Sequence, residues 1–523
     1  MRASFTRLLL LFALAAVGAA SPAAAQPPNI QVSSPSSSNP EEITISVDPT
    51  NPLRLVAGAN DNYRYVSSDG GLHWSQAVLQ SSLGVFGDPV VLYDAAGDVH
   101  YAHLSESFDR IVVQTSGDGG ISWNDGVGVG LNTPPKNEDK PGLATDLSGS
   151  AYQGSLYLAW TEFDSYGSVN PADSTRILLS RSTDHGLTWS TPVRVSDLGG
   201  DCLDFDNTVE GAIPAVGPEG QVYVAWSGPG GIRFDRSLDG GATFGNDVFV
   251  SSQPGGWDFD VSGIQRCNGL PTTLCDISNS PYRGRIYVVW SDQRAGTGDT
   301  DVFMARSSDG GTTWSAPTRV NDDATTSQQF FPAAAVDPIT GNLYVLYYDR
   351  RATIGDATQV SLARSADGGD TFQSVQVSDS SFTPDASVFF GDYIGLAAWN
   401  RRIYPAWMRM DGGNLSVWTA PLTDSLVAVS VPPRLAAESV ILHAIPNPIR
   451  LATSLQYSIA EAGQVSIRIF DARGREVAQL ADGHEEAGPH AIAWDARGHP
   501  SGLYFCTLTT QGRTKSAKLL VIH

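Results

Sequence analysis

The chain has 523 residues and a formal net charge of −22, from 55 Asp and Glu against 33 Lys and Arg. An acidic balance of that size argues against nucleic acid and anionic membranes as partners, since both repel it. The length exceeds one ordinary core, so two or more domains are expected, and four cysteines without zinc-ligand spacing exclude a disulfide scaffold and a zinc finger.

Residues 1–25 read as an export signal. Arg2 and Arg7 give a positive start, Leu8 to Ala16 an apolar run, and Ala23-Ala24-Ala25 a small-residue cleavage site before Gln26. The run is too short to span a bilayer. No other segment is long and apolar enough, so no transmembrane segment is expected after signal removal. The mature protein is expected to be secreted or displayed on a bacterial cell surface.

From residue 27 to about 425 one phrase recurs six times: SSDGGLHW, SGDGGISW, STDHGLTW, SLDGGATF, SSDGGTTW and SADGGDTF. Each is Ser-x-Asp-x-Gly-x-x-aromatic, centred on Asp69, Asp118, Asp184, Asp239, Asp309 and Asp367. The copies fall roughly 50–70 residues apart, the scale of a four-stranded propeller blade. Strand phrases flank each copy, so the phrase is a turn: Asp and Ser accept backbone N–H groups, Gly takes positive φ, and the aromatic ring returns to the core. Upstream lies a second repeat, GSLYLAW, GQVYVAW, GRIYVVW, GNLYVLYY and RRIYPAW, with the alternation of a strand.

Counting the inner strands that precede these phrases gives seven blades; counting Asp phrases alone gives six. NIQVSS at Asn29 is similar to the outer-strand phrases PVRVSD, PTRVND and SVQVSD. Ile30 to Ser33 are therefore expected to supply the outer strand of the seventh blade and remove an open edge. With the Asp turns at the bottom, the loops entering each inner strand and those joining second to third strands lie on top. Ligand contacts are expected there.

The top loops carry Asp292 and Arg294; Tyr348, Asp349, Arg350 and Arg351; Arg409 and Asp411; and Glu162 and Asp164. Asp88, Asp139, Lys140, Glu210, Asp392 and Tyr393 enter inner strands and are expected to ring the central channel. Arg294, Arg350 and Arg409 could grip an anion while Asp292, Asp349 and Tyr393 do acid, base or nucleophile work. The competing reading makes the Asp-x-Arg pairs interblade salt bridges. Asp88, Glu210 and Asp392 are candidate Ca²⁺ ligands at the channel mouth; no other cofactor is required. Cys202 and Cys267 both precede inner strands of adjacent blades and are expected to form a disulfide, with Cys267–Cys275 as the competitor. Cys275 aligns with Val336 and Ala398 and reads as a buried apolar residue.

Residues 426–440 read as a linker. Residues 441–523 show short alternating strands, SLQYSI, QVSIRIFD, GLYFCTLTT and TKSAKLLVI, expected to form a small sandwich. The fold expected overall is all-β, a propeller followed by this sandwich.

The Asp phrases resemble the Asp boxes of the sialidase-like, BNR-repeat propellers over residues 27–425. That resemblance implies an Arg triad for a sialic acid carboxylate, a Tyr–Glu nucleophile pair and an Asp acid/base. The Arg-Ile-Pro phrase of true sialidases is missing here. IPNP, EAGQVSIRIFDARGREVAQL and SGLYFCTL in turn resemble FlgD-like immunoglobulin modules, which serve as C-terminal sorting domains of the type IX secretion system. The function expected is a secreted or surface-displayed propeller that binds an extracellular glycan or glycoprotein, with the secretion machinery as a second partner. The alternatives are an exo-α-sialidase-type glycoside hydrolase and a structural adhesin.

Overall fold

The computed structural model describes residues 28–33, 40–425, 442–445, 447–459, 463–485, 488–510 and 513–522. The expected signal segment, 1–25, and the linker, 426–440, lie outside them. The chain divides into two compact units, Met1–Ser430 and Val431–His523.

In the first unit six antiparallel four-stranded sheets and a seventh, which carries a short fifth strand at Leu422–Thr423, follow one another, so the count is seven and not six. Their inner strands are Thr44–Val47, Val90–Tyr93, Asn137–Thr145, Glu210–Val216, Thr272–Cys275, Gln329–Val336 and Gly395–Trp399. Six sheets are built from consecutive strands. The seventh takes its outer strand from the other end of the chain, pairing Ile30 with Thr419 and Gln31 with Trp418. Val32 N–H adds a bond to the Val417 carbonyl at 2.8 Å. A ring closed this way leaves no sheet edge for a second chain to pair with.

The second strands read as unbroken hydrophobic runs because both their faces pack against neighbouring blades. Trp160, Trp226, Trp290 and Trp407 stand at one repeated position on them and are fully buried.

Each Asp phrase closes a turn as its chemistry requires. In blade two, Asp118 Oδ1 accepts the N–H groups of Ile121 and Ser122 (3.0 and 2.9 Å) and the Ser116 hydroxyl (2.7 Å), while Oδ2 accepts the Ser122 hydroxyl (2.5 Å). The Ser122 hydroxyl leads the causes that hold the Asp118 carboxyl at about 2. Gly120, at φ 89°, donates to Ser116 Oγ at 2.9 Å and receives the Trp123 indole N–H at 3.0 Å. A further device joins blades: an Arg of one blade reaches the backbone of the next Asp turn. Arg64 donates to the Gly120 carbonyl (2.6 Å), Arg181 to Gly240 (2.8 Å) and Arg285 to Gly368 (2.7 Å). Blade seven has no Asp phrase; there Asp424 pairs with Arg364 and accepts the Tyr344 hydroxyl at 2.8 Å.

All four cysteines are free, which corrects the expected Cys202–Cys267 bridge and its competitor. Cys267 sits in a small hairpin, Asp258–Phe259 with Cys267–Asn268, and packs in the cluster of Phe330 and Phe331. Cys202 is buried in the loop between blades three and four, its carbonyl accepting the Gly167 N–H at 2.7 Å. Cys275 is half-buried and not sealed in the core, because its inner strand lines the lower channel.

The second unit is a sandwich of a three-stranded and a four-stranded sheet. Alternate residues such as Val465, Ile467 and Ile469 on one strand and Tyr504, Cys506 and Leu508 on its neighbour form its core with Trp494.

Candidate functional site

Strand register brings one residue from every blade to the channel mouth. Counting two residues before the matched positions Thr44, Val90, Gly142, Ile213, Thr272, Ala333 and Gly395 gives Glu42, Asp88, Lys140, Gly211, Leu270, Phe331 and Tyr393. Glu42, Asp88, Lys140, Gly211 and Phe331 all take positive φ, between 47° and 76°. Five of the seven inner strands thus begin with the same left-handed kink, costly for residues other than Gly. In four blades a proline follows the ring residue: Pro89, Pro141, Pro271 and Pro332.

The polar members of this ring form one ion network. Lys140 Nζ lies 2.5 Å from Asp392 and 3.7 Å from both Asp88 and Glu42. Arg266 reaches over the mouth to Asp392 and, at 3.4 Å, to Asp204. Asn60 donates to Glu42 at 2.5 Å and Asn268 to the Asp392 carbonyl at 3.0 Å. Glu210 is fully buried, with no donor reaching either carboxyl oxygen.

Six carboxyls, Glu42, Asp88, Asp139, Asp204, Glu210 and Asp392, therefore share two cations, Lys140 and Arg266, and the charges separate accordingly. Burial pushes the Glu42, Asp139 and Glu210 carboxyls well above the ordinary range, and neighbouring carboxylates add to it. Burial is the largest influence on Asp88, but Lys140 together with hydrogen bonds from the Asp139 and Glu42 carboxyls and the Lys140 N–H outweighs it and holds that carboxyl at about 2. Asp392 stays low against burial because Lys140 and Arg266 both face it. Lys140 keeps its proton although burial opposes it, since Asp392, Asp88 and Glu42 surround it. The cavity at the centre of the ring, about 90 Å³, is lined by Asp88, Lys140, Phe331, Asp392 and Tyr393 among others. That is room for a few waters and below the range of small-molecule sites.

Beside the ring lies a roomier groove of about 540 Å³. Its walls are Tyr166 and Leu203 to Phe205 on one side, Asp258 to Asp260 with Gln265 and Arg266 on another, and Phe389 on a third. These come from the second-to-third-strand loop of blade three and from the long connections between blades three and four, four and five, and six and seven. All are top loops. Tyr166 and Phe205 are 49% and 59% exposed, high for aromatic side chains. The Tyr166 hydroxyl donates to Asp204 at 2.5 Å, and Arg266 stands 5.3 Å from the centre of the Phe389 ring. Asp206 fixes two walls together by accepting the Asp258 N–H at 2.9 Å. Its carboxylate packs on Gly256 so closely that a Cβ there would come within 2.1 Å of it. Burial, with Asp206 adding, raises the Asp258 carboxyl to about 6.

The residues singled out in the sequence fall elsewhere. Arg294 Nε donates to both oxygens of buried Asp292, at 2.9 and 3.1 Å, and its guanidinium covers Phe303 at 4.3 Å. Arg350, almost wholly buried, donates to Thr358 Oγ1 (3.0 Å), Gln328 Oε1 (3.0 Å) and the Ser262 carbonyl (2.8 Å). Arg409 pairs with Asp411 at 3.0 Å and donates to Ser380 at 2.8 Å. Asp349 accepts from Gln329 and Ser361 (3.2 and 2.7 Å) and pairs with Arg351. The Tyr348 hydroxyl is fully buried on the Met408 carbonyl. Tyr393 reaches the channel mouth, its hydroxyl donating to the Pro89 carbonyl at 3.2 Å. Glu162 and Asp164 both hold Lys136 and Arg176. Each guanidinium is thus held by its own set of partners, and the three do not share one.

For the Ca²⁺ expectation, Lys140 stands between Asp88 and Asp392, while Glu210 turns to Asp204. Among the described residues, the group of acidic and imidazole ligand atoms lying within 4.8 Å of one another is Asp94, Asp98 and His185. It lies at the Asp-turn end, where Asp94 already accepts from Ala96, Asp98 and His185.

Sequence reasoning missed the groove. Two signals carry it: the twin Asp-Phe-Asp triplets, 204–206 and 258–260, and the unusual length of the interblade connections that hold them.

Residues 443–522 match the family model described as the secretion system C-terminal sorting domain. The C-terminal sandwich is a sorting module. It addresses the chain to the bacterial cell surface or the extracellular space. No curated protein matches the chain. Solved structures similar to it include the Penicillium chrysogenum alpha-L-arabinanase, at 13% identity and TM-score 0.41, over 76% of this chain and 98% of that one. The Streptococcus pneumoniae NanB sialidase is similar at 10% identity and TM-score 0.43, over 72% and 83%. The Trypanosoma rangeli sialidase is similar at 12% identity and TM-score 0.42, over 85% of each chain. Among the described residues, no helix is long and apolar enough to cross a membrane.

Proposed function

We propose that the protein is an exported glycan-binding propeller and that the top-face groove is its binding site. The observation that carries this reading is the groove itself: exposed rings of Tyr166 and Phe205 beside carboxylates and an amide, in a cleft of about 540 Å³. The mildly positive C–H face of a sugar ring stacks on an aromatic face, and acidic and amide side chains bind its hydroxyls. Volume in this range matches small-ligand sites. The groove's own cation, Arg266, is paired to Asp392 and Asp204, and Arg294, Arg350 and Arg409 are held in their loops. That arrangement favours an uncharged or cationic sugar over a sialic acid carboxylate.

The test is a glycan array with the mature full chain, run with and without Ca²⁺. Retention is expected on neutral or amino-sugar glycans and lost in Phe205→Ala. Release of a fluorogenic sialoside above an Arg350→Ala control would instead support the sialidase reading. An empty array with no such release would leave only the structural adhesin.

A further inference from the structure

The groove has a sign. Asp204, Asp258 and Asp260 line it, with Asp206 directly behind Asp258. Arg266 faces them but is shared with Asp392, which already has Lys140 as well. This wall holds more negative charge than the protein's own cations balance. An incoming cation would relieve it, because carboxylates in a partly dry cleft attract a positive group far more strongly than in water. The aromatic members act in the same sense. The electron-rich faces of Tyr166 and Phe205 attract a cation and its adjoining apolar surface together.

Building on the glycan reading, we infer that the groove recognises an amino sugar, a pyranose with a free ammonium group. Its C–H face lies on Phe205 or Tyr166, and its ammonium sits among Asp204, Asp258 and Asp260. A lysine side chain offers the same ammonium but no flat ring to cover two exposed aromatic faces, so the observations favour the sugar. An N-acetyl group would replace the charge with a neutral amide and forfeit the carboxylate contacts.

The test is calorimetric titration of the mature full chain at pH 6.5. The probes are a glucosamine hexamer, an N-acetylglucosamine hexamer of the same linkage, and hexalysine. The glucosamine hexamer is expected to bind about tenfold tighter than the N-acetylated one, the worth of one charge-assisted hydrogen bond. Asp260→Asn, at an exposed position that the fold does not need, is expected to remove most of that preference. Equal or tighter binding of the N-acetylated hexamer would overturn the amino-sugar assignment and leave glycan binding standing. Hexalysine binding as tightly as the glucosamine hexamer would likewise overturn it, showing recognition of charge alone. Failure to bind either hexamer or any array glycan would overturn both readings.

Discussion

Replacing Arg294 by Ala separates a structural arginine from a ligand-gripping one. Its partner Asp292 has a fully buried side chain, while the Arg294 side chain is 24% exposed. Truncation removes the Nε contacts at 2.9 and 3.1 Å and leaves Asp292 with the Trp290 indole N–H at 2.8 Å and the residue-294 backbone N–H at 3.0 Å. Stripping one partner from a buried pair costs about 3–5 kcal/mol. The two surviving donors and the partial exposure place this case at the lower end, about 3 kcal/mol. Asp292→Asn in the same chain removes the stranded charge and is expected to recover about 1–2 kcal/mol, a coupling readable in a double-mutant cycle. The assay is urea unfolding of all four proteins followed by titration with the best array glycan. Affinity is expected to stay unchanged in every variant. Lost binding in Arg294→Ala with unchanged stability would refute the argument and return Arg294 to the ligand site.

Further expectations follow from the same contacts. Asp118→Ala deletes four accepted hydrogen bonds at the bottom face and is expected to cost about 1–2 kcal/mol, since the turn is wet, with glycan binding intact; lost binding would place function on that face. Glu210, Glu42 and Asp139 have raised carboxyl pKa values, so each contributes stability at low pH that is lost as pH rises through its folded value. Melting scans from pH 4 to 9 should show Glu210→Gln more stable than the wild type at pH 8 and converging with it near pH 4; an unchanged profile would contradict a protonated Glu210. Deleting residues 28–33 uncovers the Asn414–Thr419 strand and is expected to give self-association in size-exclusion chromatography with light scattering; a monomer with unaltered melting would deny the closure its role. Gly256→Ala must displace Asp206 and is expected to weaken groove binding while leaving the blades' stability nearly unchanged.

Much of the fold was legible because it is periodic. Turn chemistry repeats in every Asp phrase, and the likeness of NIQVSS to the other outer-strand phrases marks an outer strand that pairs Ile30 with Thr419 at the far end of the propeller. The C-terminal sandwich was legible for the same reason, in strands whose every second residue is apolar. The site was less so. The channel-mouth residues Asp88, Asp139, Lys140, Glu210, Asp392 and Tyr393 could be placed by register alone, since inner strands fix their depth. The sharing of Lys140 among Glu42, Asp88 and Asp392 could not, because the partners come from three separate blades. Arg294, Arg350 and Arg409 stand out in the sequence for their charge, yet an Asp two residues away, or a loop carbonyl, is enough to hold each one. The groove was hidden because its walls are irregular connections with no period to read, and Tyr166, Phe205 and Phe389 meet only once those loops cross the top face.

The most direct measurement is the affinity of the best array glycan for the wild type and for Phe205→Ala, each checked for an unchanged melting temperature. Phe205 is largely exposed, so its truncation should leave the fold intact. A loss of tenfold or more, about 1.4 kcal/mol of stacking, is the predicted result. Equal affinity in the two proteins would contradict the assignment of this groove as the binding site.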